Sequence, residues 1–430
     1  MQKLFAQMFG DNAPPLLRSK LQAFKTGVRP MKPSEFRQVL RRIERDPAFA
    51  PIAKAVHFVD PTPIGAATIG EGHIVVMEDG TRYFLKMQRL GLAEYFEYER
   101  SVNDAALVDA HALDLKVMWD EIVKSMVEEL DFLLEAEQLA IASREYAKDT
   151  SKYRIRVPKV IAASRHWILM EMAPGAVLGS LRPGLDMSLP FQPYSNKVVT
   201  PADVCSVQAA LYGWFQRWVQ SALLKSSSLI HLDPHDGNVI IDRESSVLTL
   251  WVFDATMGSI DVTVKEALVR FTVGLLTDNT EVIMQAILAL PASDSLSNAE
   301  IGRLHDKVEA AMEAIRVKQQ RENEPLSVKR LTTQMGLLMQ EITASVDITL
   351  LPGAVLFGRA LILMLNAYHN FTDKFEEMAV AAGCPPQRPV SLILKAGLND
   401  MSLSSIHLAM SGLRSYTAGR WSLTKSVKRR

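Results

Sequence analysis

The sequence predicts an α+β fold built as two lobes. Strand-like apolar runs are concentrated in the first half of the chain, where HIVVMEDGTRYFLKMQR has the pattern of two strands joined by a turn at Asp79-Gly80. From Pro201 to about residue 372 the pattern is mostly helical, interrupted by the short apolar runs NVIID and LTLWVFD. A chain of 430 residues has room for two or three domains. A strand-rich lobe followed by a helical lobe accounts for this order.

Changes in composition divide the chain into four predicted segments. Prolines break residues 1–57 into short helices, which form an N-terminal extension. Residues 58–172 form a small lobe, with helices inserted over 92–147. Residues 173–372 form the helical large lobe, with an irregular loop at 183–199, and residues 373–430 form a helical, basic C-terminal tail.

The composition excludes several classes of protein. Forty-eight basic and 48 acidic residues cancel, so the chain has no global basic surface for nucleic acid. The two cysteines, Cys205 and Cys384, provide neither a disulfide framework nor a cysteine zinc cluster, which is typical of a reducing compartment. Glycines and polar residues interrupt the apolar run at 351–367, which favours a buried helix over a membrane span. The N-terminus is a poor secretory signal, so we expect a cytoplasmic protein.

The strongest functional signal is the segment HLDPHDGN at 231–238, followed by a strand pair and Asp254. An Asp, an Asn five residues later and a second Asp after a hairpin form the arrangement of kinase-like phosphotransfer sites. Asp233 is the candidate catalytic acid, and Asn238 and Asp254 offer the oxygen ligands that Mg²⁺ prefers. The alternative is a loop with a capping Asp. A zinc pair of His231 and His235 is disfavoured because Pro234 prevents a helix there.

Lys86 ends the second predicted strand, where a kinase places the lysine that contacts the nucleotide phosphates. The alternative is a solvated surface cation. The predicted helix that follows carries five acidic residues, Glu128, Glu129, Asp131, Glu135 and Glu137. Asp131 and Glu135 share a face at i, i+4 spacing. We expect one of these acids to pair with Lys86, and Glu135 is our choice.

The segment PIGAATIGEG at 63–72 precedes the first strong strand and is rich in small residues. Small residues let the backbone approach a phosphate closely, although the same composition occurs in a simple tight turn.

These segments resemble the UbiB/AarF (ADCK-type) atypical kinase family. PIGAATIGEGH at 63–73, LKMQRLG at 85–91, ELDFLLEA at 129–136, HLDPHDGN at 231–238 and LPGAVLFGRALILML at 351–365 are each similar to a family motif, in the family's order. The resemblance covers about residues 14–372.

The resemblance implies a two-lobed protein-kinase-like fold that binds Mg-ATP. It implies that Lys86 contacts the phosphates, Glu135 pairs with it, Asp233 is the catalytic-loop acid, and Asn238 and Asp254 hold Mg²⁺. The nucleotide would be lined by Gly65, Ala66, Ala67 and Thr68, with a hinge at Glu171 and Met172. The family's N-terminal K-x-G-Q motif has its nearest match in Lys20-Leu21-Gln22, which lacks the glycine.

Two departures from the family pattern affect the site. Asp254 is followed by Ala255-Thr256 in place of Phe-Gly, which puts the backbone freedom of this loop in question. Asp236 replaces a proline and adds a carboxylate beside the predicted metal site. Here the alternatives are altered metal affinity and an ordinary solvated loop acid.

The C-terminal tail from Met401 to Arg430 contains no acidic residue and carries apolar residues at helical spacing. Such a tail can lie on an anionic membrane surface, or it can be a docked helix with a basic end.

The predicted function is that of a UbiB-like atypical kinase or ATPase that uses ATP and Mg²⁺ and supports isoprenoid-quinone or lipid metabolism. Its expected partners are ATP, a lipid or isoprenoid small molecule and, through the tail, a membrane surface; nucleic acid is not expected. Two alternatives remain: a small-molecule or protein phosphotransferase, and a nucleotide-binding pseudokinase scaffold.

Overall fold

The computed structural model describes residues 29–66, 69–92, 130–147, 154–183, 198–224, 229–242, 248–259, 261–290, 296–322 and 352–385, with a few isolated positions between them. The chain divides into two compact units. Unit 1 comprises Met1–Thr150, Arg154–Gly175 and Thr249–Thr256. Unit 2 comprises Ser151–Tyr153, Ala176–Leu248 and Met257–Arg430.

The described strands, in chain order, are β1 Val56–Val59, β2 Gly65–Ala66, β3 Gly70–Met77, β4 Arg82–Gln88, β5 Arg154–Arg156, β6 Val160–Ser164, β7 Trp167–Glu171, β8 Ala176–Val177, β9 Arg182–Pro183, β10 Val198–Val199, β11 Ile230–His231, β12 Val239–Asp242, β13 Thr249–Val252 and β14 Met257–Gly258. The described helices are α1 Pro33–Glu44, α2 Ala50–Ala53, α3 Phe132–Ala147, α4 Pro201–Val219, α5 Val262–Thr277, α6 Thr280–Leu288, α7 Asn298–Glu322, α8 Pro352–Lys374 and α9 Glu376–Ala381.

Unit 1 is organised around an antiparallel sheet in the order β1-β3-β4-β7-β6, with β2 added to β3. The predicted strand pair is confirmed as β3 and β4, and Gly80 in the connecting turn has a φ of +82°. Lys86 on β4 lies opposite Ile168 on β7, which places it in the middle of the sheet. In the same unit β5 runs parallel to β13, and β13 leads directly into Asp254.

Helix α1 packs its apolar stripe on the sheet of unit 1. Phe36, Val39 and Ile43 recur at helical spacing and are buried. They belong to one hydrophobic cluster with Leu85 and Trp167 of the sheet. The second half of the predicted N-terminal extension is therefore an integral part of the core of unit 1, whereas residues 1–28, including Lys20 and Gln22, lie outside the described residues.

A buried hydrogen bond fixes the loop after α1 to the sheet. The indole Nε1–H of Trp167 donates to Oδ2 of Asp46 over 2.9 Å, and the ring of Phe49 meets the Trp167 ring edge to face. Burial acts to raise the pKa of Asp46, but the hydrogen bonds from the Ala48 N–H and from Trp167 outweigh it and hold the pKa below its ordinary value.

Unit 2 is mainly helical. Helix α4 begins at a capping box formed by Thr200 and Asp203, and its residues Trp214 and Phe215 are fully buried. Helix α8 confirms the buried-helix prediction for the apolar run at 351–367, since Phe357 and Leu361 lie in the core. Two short antiparallel pairs, β8 with β12 and β11 with β14, flank the segment that connects β11 to β12. None of the helices within the described ranges has the length and apolarity needed to cross a membrane.

A disulfide joins Cys205 on α4 to Cys384 after α9. The sequence predicts no disulfide framework, and the structure differs in holding this one cross-link between residues 179 positions apart. The bridge encloses the loop at 231–238 within a closed stretch of chain.

We expect reduction of this disulfide to destabilise unit 2, because a long closed loop restricts the unfolded chain. The expected loss is on the order of 2–5 kcal/mol. Urea unfolding followed with and without a reductant measures it. The variant Cys384→Ser should unfold at the midpoint of the reduced wild type and ignore the reductant; a wild-type midpoint that is unaffected by reductant would contradict a stabilising role.

Candidate active site

Unit 1 brings three of the predicted site residues together around the ammonium group of Lys86. Lys86 Nζ donates to Glu135 Oε2 over 2.6 Å and lies 3.5 Å from Asp254 Oδ2. Glu135 is in the first turn of α3, and Asp254 follows β13. The Lys86 and Glu135 side chains are 21% and 12% exposed, so water screens this ion pair less than a surface pair. The expected pairing of Lys86 with Glu135 is observed.

Phe132 also contacts Lys86, and the sequence did not predict this contact. Its ring centroid lies 5.0 Å from Lys86 Nζ, within range of a cation–π interaction, and the residue is 1% exposed. Phe132 lies three residues before Glu135 on α3, so both contact the same ammonium group. An aromatic residue one helical turn before the pairing acid is the signal that could have found it.

Asp131 shares this helix face with Glu135 but contacts other groups than Lys86. Its Oδ1 accepts from the N–H of Leu133, and its Oδ2 lies 3.2 Å from Nε of Arg165. The carboxylate therefore caps the start of α3 and forms a largely exposed ion pair. Glu128 and Glu129 lie outside the described residues.

The loop after β13 contains Asp254-Ala255-Thr256, and its backbone shows how it folds without the glycine of the family pattern. Asp254 has a φ of +53°, a left-handed conformation that Asp tolerates better than most residues. Within this loop the positive φ belongs to Asp254 and not to Thr256, so the threonine needs no glycine-like freedom. Ala255 is buried, and the Thr256 N–H donates to the Asp254 carbonyl. The Asp254-Ala255-Thr256 sequence thus forms a turn that directs the carboxylate to Lys86.

In unit 2 the segment between β11 and β12 is held by local hydrogen bonds. The carbonyl of Asp233 accepts from the N–H of His235 and from Nδ2 of Asn238, the latter over 3.3 Å. His235 Nδ1 accepts from the Gly237 N–H, while its Nε2 lies 3.8 Å from Asp233 Oδ2. Because Asn238 uses its amide nitrogen in this bond, its amide oxygen is available as a ligand.

Asp236 connects this loop to helix α8. Its Oδ2 accepts from Nδ2 of Asn370 over 3.2 Å, and its carboxyl group lies against Gly179, where an added Cβ would come within 3.2 Å of it. Lys374, one turn after Asn370, donates to the carbonyls of Gly179 and Leu181. Asp236 therefore has a structural partner on α8, which was not foreseen because Asn370 lies 134 residues away.

The predicted phosphate-facing segment forms the β2–β3 pair, with Gly65 opposite Gly72 and Ala66 opposite Glu71. Ala67 and Thr68 lie outside the described residues. The close approaches occur at two later glycines. A Cβ added to Gly70 would lie 2.4 Å from the Met87 carbonyl oxygen, and one added to Gly72 would lie 2.4 Å from the Phe84 ring. Small residues are therefore required here for packing against β4.

Glu71 on β3 forms a buried ionic cluster with Arg89, which the sequence did not predict. Glu71 is 2% exposed; its Oε1 accepts from the Met31 N–H and from NH2 of Arg89, the latter over 2.9 Å. Arg89 also donates to the carbonyl of Arg29. These bonds attach the chain just before α1 to β3 and to the residue after β4, so the start of the described chain is anchored beside the β2–β3 pair.

The two predicted hinge residues follow each other at the end of β7. The N–H of Glu171 donates to the Lys159 carbonyl over 2.8 Å, and the Glu171 side chain pairs with Arg156 over 3.2 Å. Met172 is half-buried.

The donors at both loops are of the type that Mg²⁺ prefers, namely a carboxylate at Asp254 and an amide oxygen at Asn238. Within the described ranges no group of three or more His, Cys, Asp or Glu side chains forms a metal cluster.

A lysine on a central strand, paired with a helix acid and with an acid after a later strand, defines the class as protein-kinase-like. Residues 25–287, more than half of the chain, match the ABC1 atypical kinase-like domain. The chain belongs to the ABC1 atypical kinase-like family.

Curated relatives share this domain at low identity. The chain is 25% identical over 250 residues to the Arabidopsis thaliana protein ACTIVITY OF BC1 COMPLEX KINASE 8, chloroplastic, covering 54% of this chain and 29% of that protein. It is 25% identical over 227 residues to mouse AarF domain-containing protein kinase 1, covering 49% and 36%. The chain therefore spans about a third of the length of each of these two relatives.

Among solved structures, the complex of Rv3197 with erythromycin from Mycobacterium tuberculosis aligns with 84% of this chain and 89% of its own. The TM-score is 0.44 and the sequence identity is 16%.

Proposed function

We propose that the chain binds Mg-ATP and transfers or hydrolyses its terminal phosphoryl group. The single observation that carries this proposal is the 2.6 Å bond between Lys86 and Glu135, with Asp254 at 3.5 Å from the same ammonium group. Taking a lysine and its carboxylate partners partly out of water costs desolvation free energy, and in kinase-like sites this arrangement holds the ammonium group for the nucleotide phosphates.

Each residue then has a defined task. Glu135 and Phe132 hold the Lys86 ammonium group in place for the nucleotide phosphates. Asp254 and Asn238 would supply oxygen ligands to Mg²⁺, which when bound offsets phosphate charge. Asp233 would orient the attacking hydroxyl group and accept its proton. Gly65, Ala66, Ala67 and Thr68 would face the nucleotide, with backbone groups of Glu171 and Met172 at the adenine.

Turnover tests the enzymatic part of the proposal. With labelled ATP and Mg²⁺ we expect ADP release by the wild type and a loss of at least a hundredfold in the Asp233→Asn variant, because the substitution removes the proton acceptor without changing side-chain size. Asp373→Asn, an exposed carboxylate on α8, is the matched control and should retain full activity.

The acceptor is identified in the same assay. ADP release that does not depend on an added acceptor favours an ATPase. ADP release that is stimulated by a mixed peptide library favours a protein phosphotransferase. Nucleotide binding without Asp233-dependent release would favour the pseudokinase scaffold and refute the enzymatic proposal.

We also propose that the acceptor or effector is an isoprenoid quinone or another lipid-like small molecule. The resemblance to the UbiB/AarF family supports this part. Stimulation of ADP release by a short-chain quinone, but not by the peptide library, is the expected result.

The acid-free, basic part of the predicted tail, residues 401–430, lies outside the described residues, and we propose that it places an otherwise cytoplasmic protein at a membrane surface. The run has no acidic residue, and each basic residue near an anionic surface contributes about 1 kcal/mol of attraction. Deleting residues 401–430 should abolish co-sedimentation with phosphatidylserine vesicles at low salt and leave ADP release unchanged. If the intact protein ignores these vesicles, the tail does not bind membranes.

A further inference from the structure

Unit 1 contains a cavity of about 770 Å³, and Lys86, Glu135 and Asp254 are not among its lining residues. It lies between the start of β4, the last turns of α3, the segment from β5 to β6, and the end of β7. Its volume falls in the range of cavities that hold small-molecule ligands.

The charge of this cavity is predominantly positive. Arg82, Arg156 and Lys159 line it, and Glu171 is the one acidic side chain among the described residues of the lining. Tyr83, Ser143 and Tyr146, which carry hydroxyl groups, are also among the lining residues. Cationic groups and hydroxyl donors converging on one cavity favour an anionic ligand with several oxygen atoms.

Arg156 is held in position for such a ligand. Its guanidinium carbon lies 4.3 Å from the centroid of the Trp251 ring, and one of its nitrogens contacts Glu171 over 3.2 Å. A stacked guanidinium group keeps its N–H edge free for hydrogen bonds, and Arg has five N–H donors. Within the described part of the chain, Arg156 makes no further hydrogen bond, which leaves donors for a carboxylate or phosphate.

The cavity is separate from the Lys86 cluster. Arg82, which lines the cavity, lies four residues before Lys86 on β4, roughly 13 Å along the strand. Ser143 lies eight residues after Glu135 on α3, which is roughly 12 Å along the helix axis. Glu171 and Met172, whose backbone groups are proposed to contact the adenine, also line this cavity.

We propose that this cavity is a second binding site for a small anion bearing carboxylate or phosphate groups, with Arg156 and Lys159 as its principal cationic contacts. The proposal goes beyond nucleotide use, since it requires neither Mg²⁺ nor Lys86, Glu135 or Asp254.

Isothermal titration calorimetry without Mg²⁺ tests the site, with citrate and phenyl phosphate as probes in separate titrations. We expect the wild type to bind at least one probe at a single site, and the tighter of the two identifies carboxylate or phosphate as the preferred group. Arg156→Gln should weaken binding at least tenfold and Lys159→Gln at least threefold. Arg154→Gln removes an exposed charge from the same strand, outside the cavity lining, and should bind as the wild type does.

Two further variants separate this proposal from the proposed function. Lys86→Met and Asp254→Asn should bind the probe unchanged, whatever their effect on nucleotide. The proposal is overturned if the wild type binds neither probe, if both Arg156→Gln and Lys159→Gln bind as the wild type does, or if Lys86→Met abolishes binding. If Arg156→Gln does not fold because its contact with Trp251 is lost, the Lys159→Gln result decides. Both hydrogen bonds between Lys159 and Glu171 use backbone atoms of Lys159, so this substitution leaves them in place.

Discussion

Replacing Asp254 by Asn is expected to remove most of the thermal stabilisation that Mg-ADP gives the wild type. A ligand that binds only the folded protein stabilises it by about 2.7 kcal/mol at a hundredfold excess over Kd. The substitution removes one of the two proposed oxygen ligands and its charge. Asn tolerates the left-handed backbone of this position as Asp does, so the fold should be retained.

The measurement is the melting temperature with ADP, with and without Mg²⁺, for both proteins and for the Asp373→Asn control. The wild type and the control should show the same Mg²⁺-dependent rise, and Asp254→Asn should show little of it. Equal rises in all three proteins would mean that Asp254 is not a metal ligand. If the ADP-induced rise in melting temperature is also smaller in Asp254→Asn than in the wild type when Mg²⁺ is absent, the loss comes from the contact with Lys86.

Lys86 and Glu135 are expected to be energetically coupled, because they form a short and largely buried ion pair. Substitution of either residue by Ala should weaken nucleotide affinity by tenfold or more, and the double variant should cost little more than Lys86→Ala alone. A coupling free energy of about 0.5–3 kcal/mol is typical of residues in direct contact.

The geometry also predicts an asymmetry between the two single variants. Glu135→Ala leaves Lys86 within 3.5 Å of Asp254, so the ammonium group keeps one partner. Lys86→Ala leaves two carboxylates without this cation, and repulsion adds to the loss of the phosphate contact. Lys86→Ala should therefore be the more damaging change for nucleotide affinity.

Glu137 provides the control for this cycle, since it is an exposed acid on the same helix. The pair Lys86→Ala and Glu137→Ala should be additive. If the losses of nucleotide affinity in Lys86→Ala and Glu135→Ala are also additive, the ion pair does not act as a unit in solution.

The local elements were predictable from the sequence. β3 and β4 follow from apolar runs on either side of a turn with glycine, and β12 and β13 from two short apolar runs. The hydrogen bonds between residues of the segment from Asp233 to Asn238 span five residues or fewer, although Asp236 also bonds to Asn370 on α8. Spacing also reduced the candidate partners of Lys86 to acids on one helix face.

The sequence by itself thus determined several strands, the buried helix α8, the spacing of Asp233 and Asn238, and the family. Tertiary structure decided that Glu135 contacts Lys86 while Asp131 pairs with Arg165, that Asp254 takes the left-handed conformation, and that Asp236 bonds to Asn370. It also placed α1 in the core of unit 1 and joined Cys205 to Cys384. The physical reason is range: periodicity and turn chemistry act over a few residues, whereas these contacts link residues up to 179 positions apart and depend on how helices and strands pack in three dimensions.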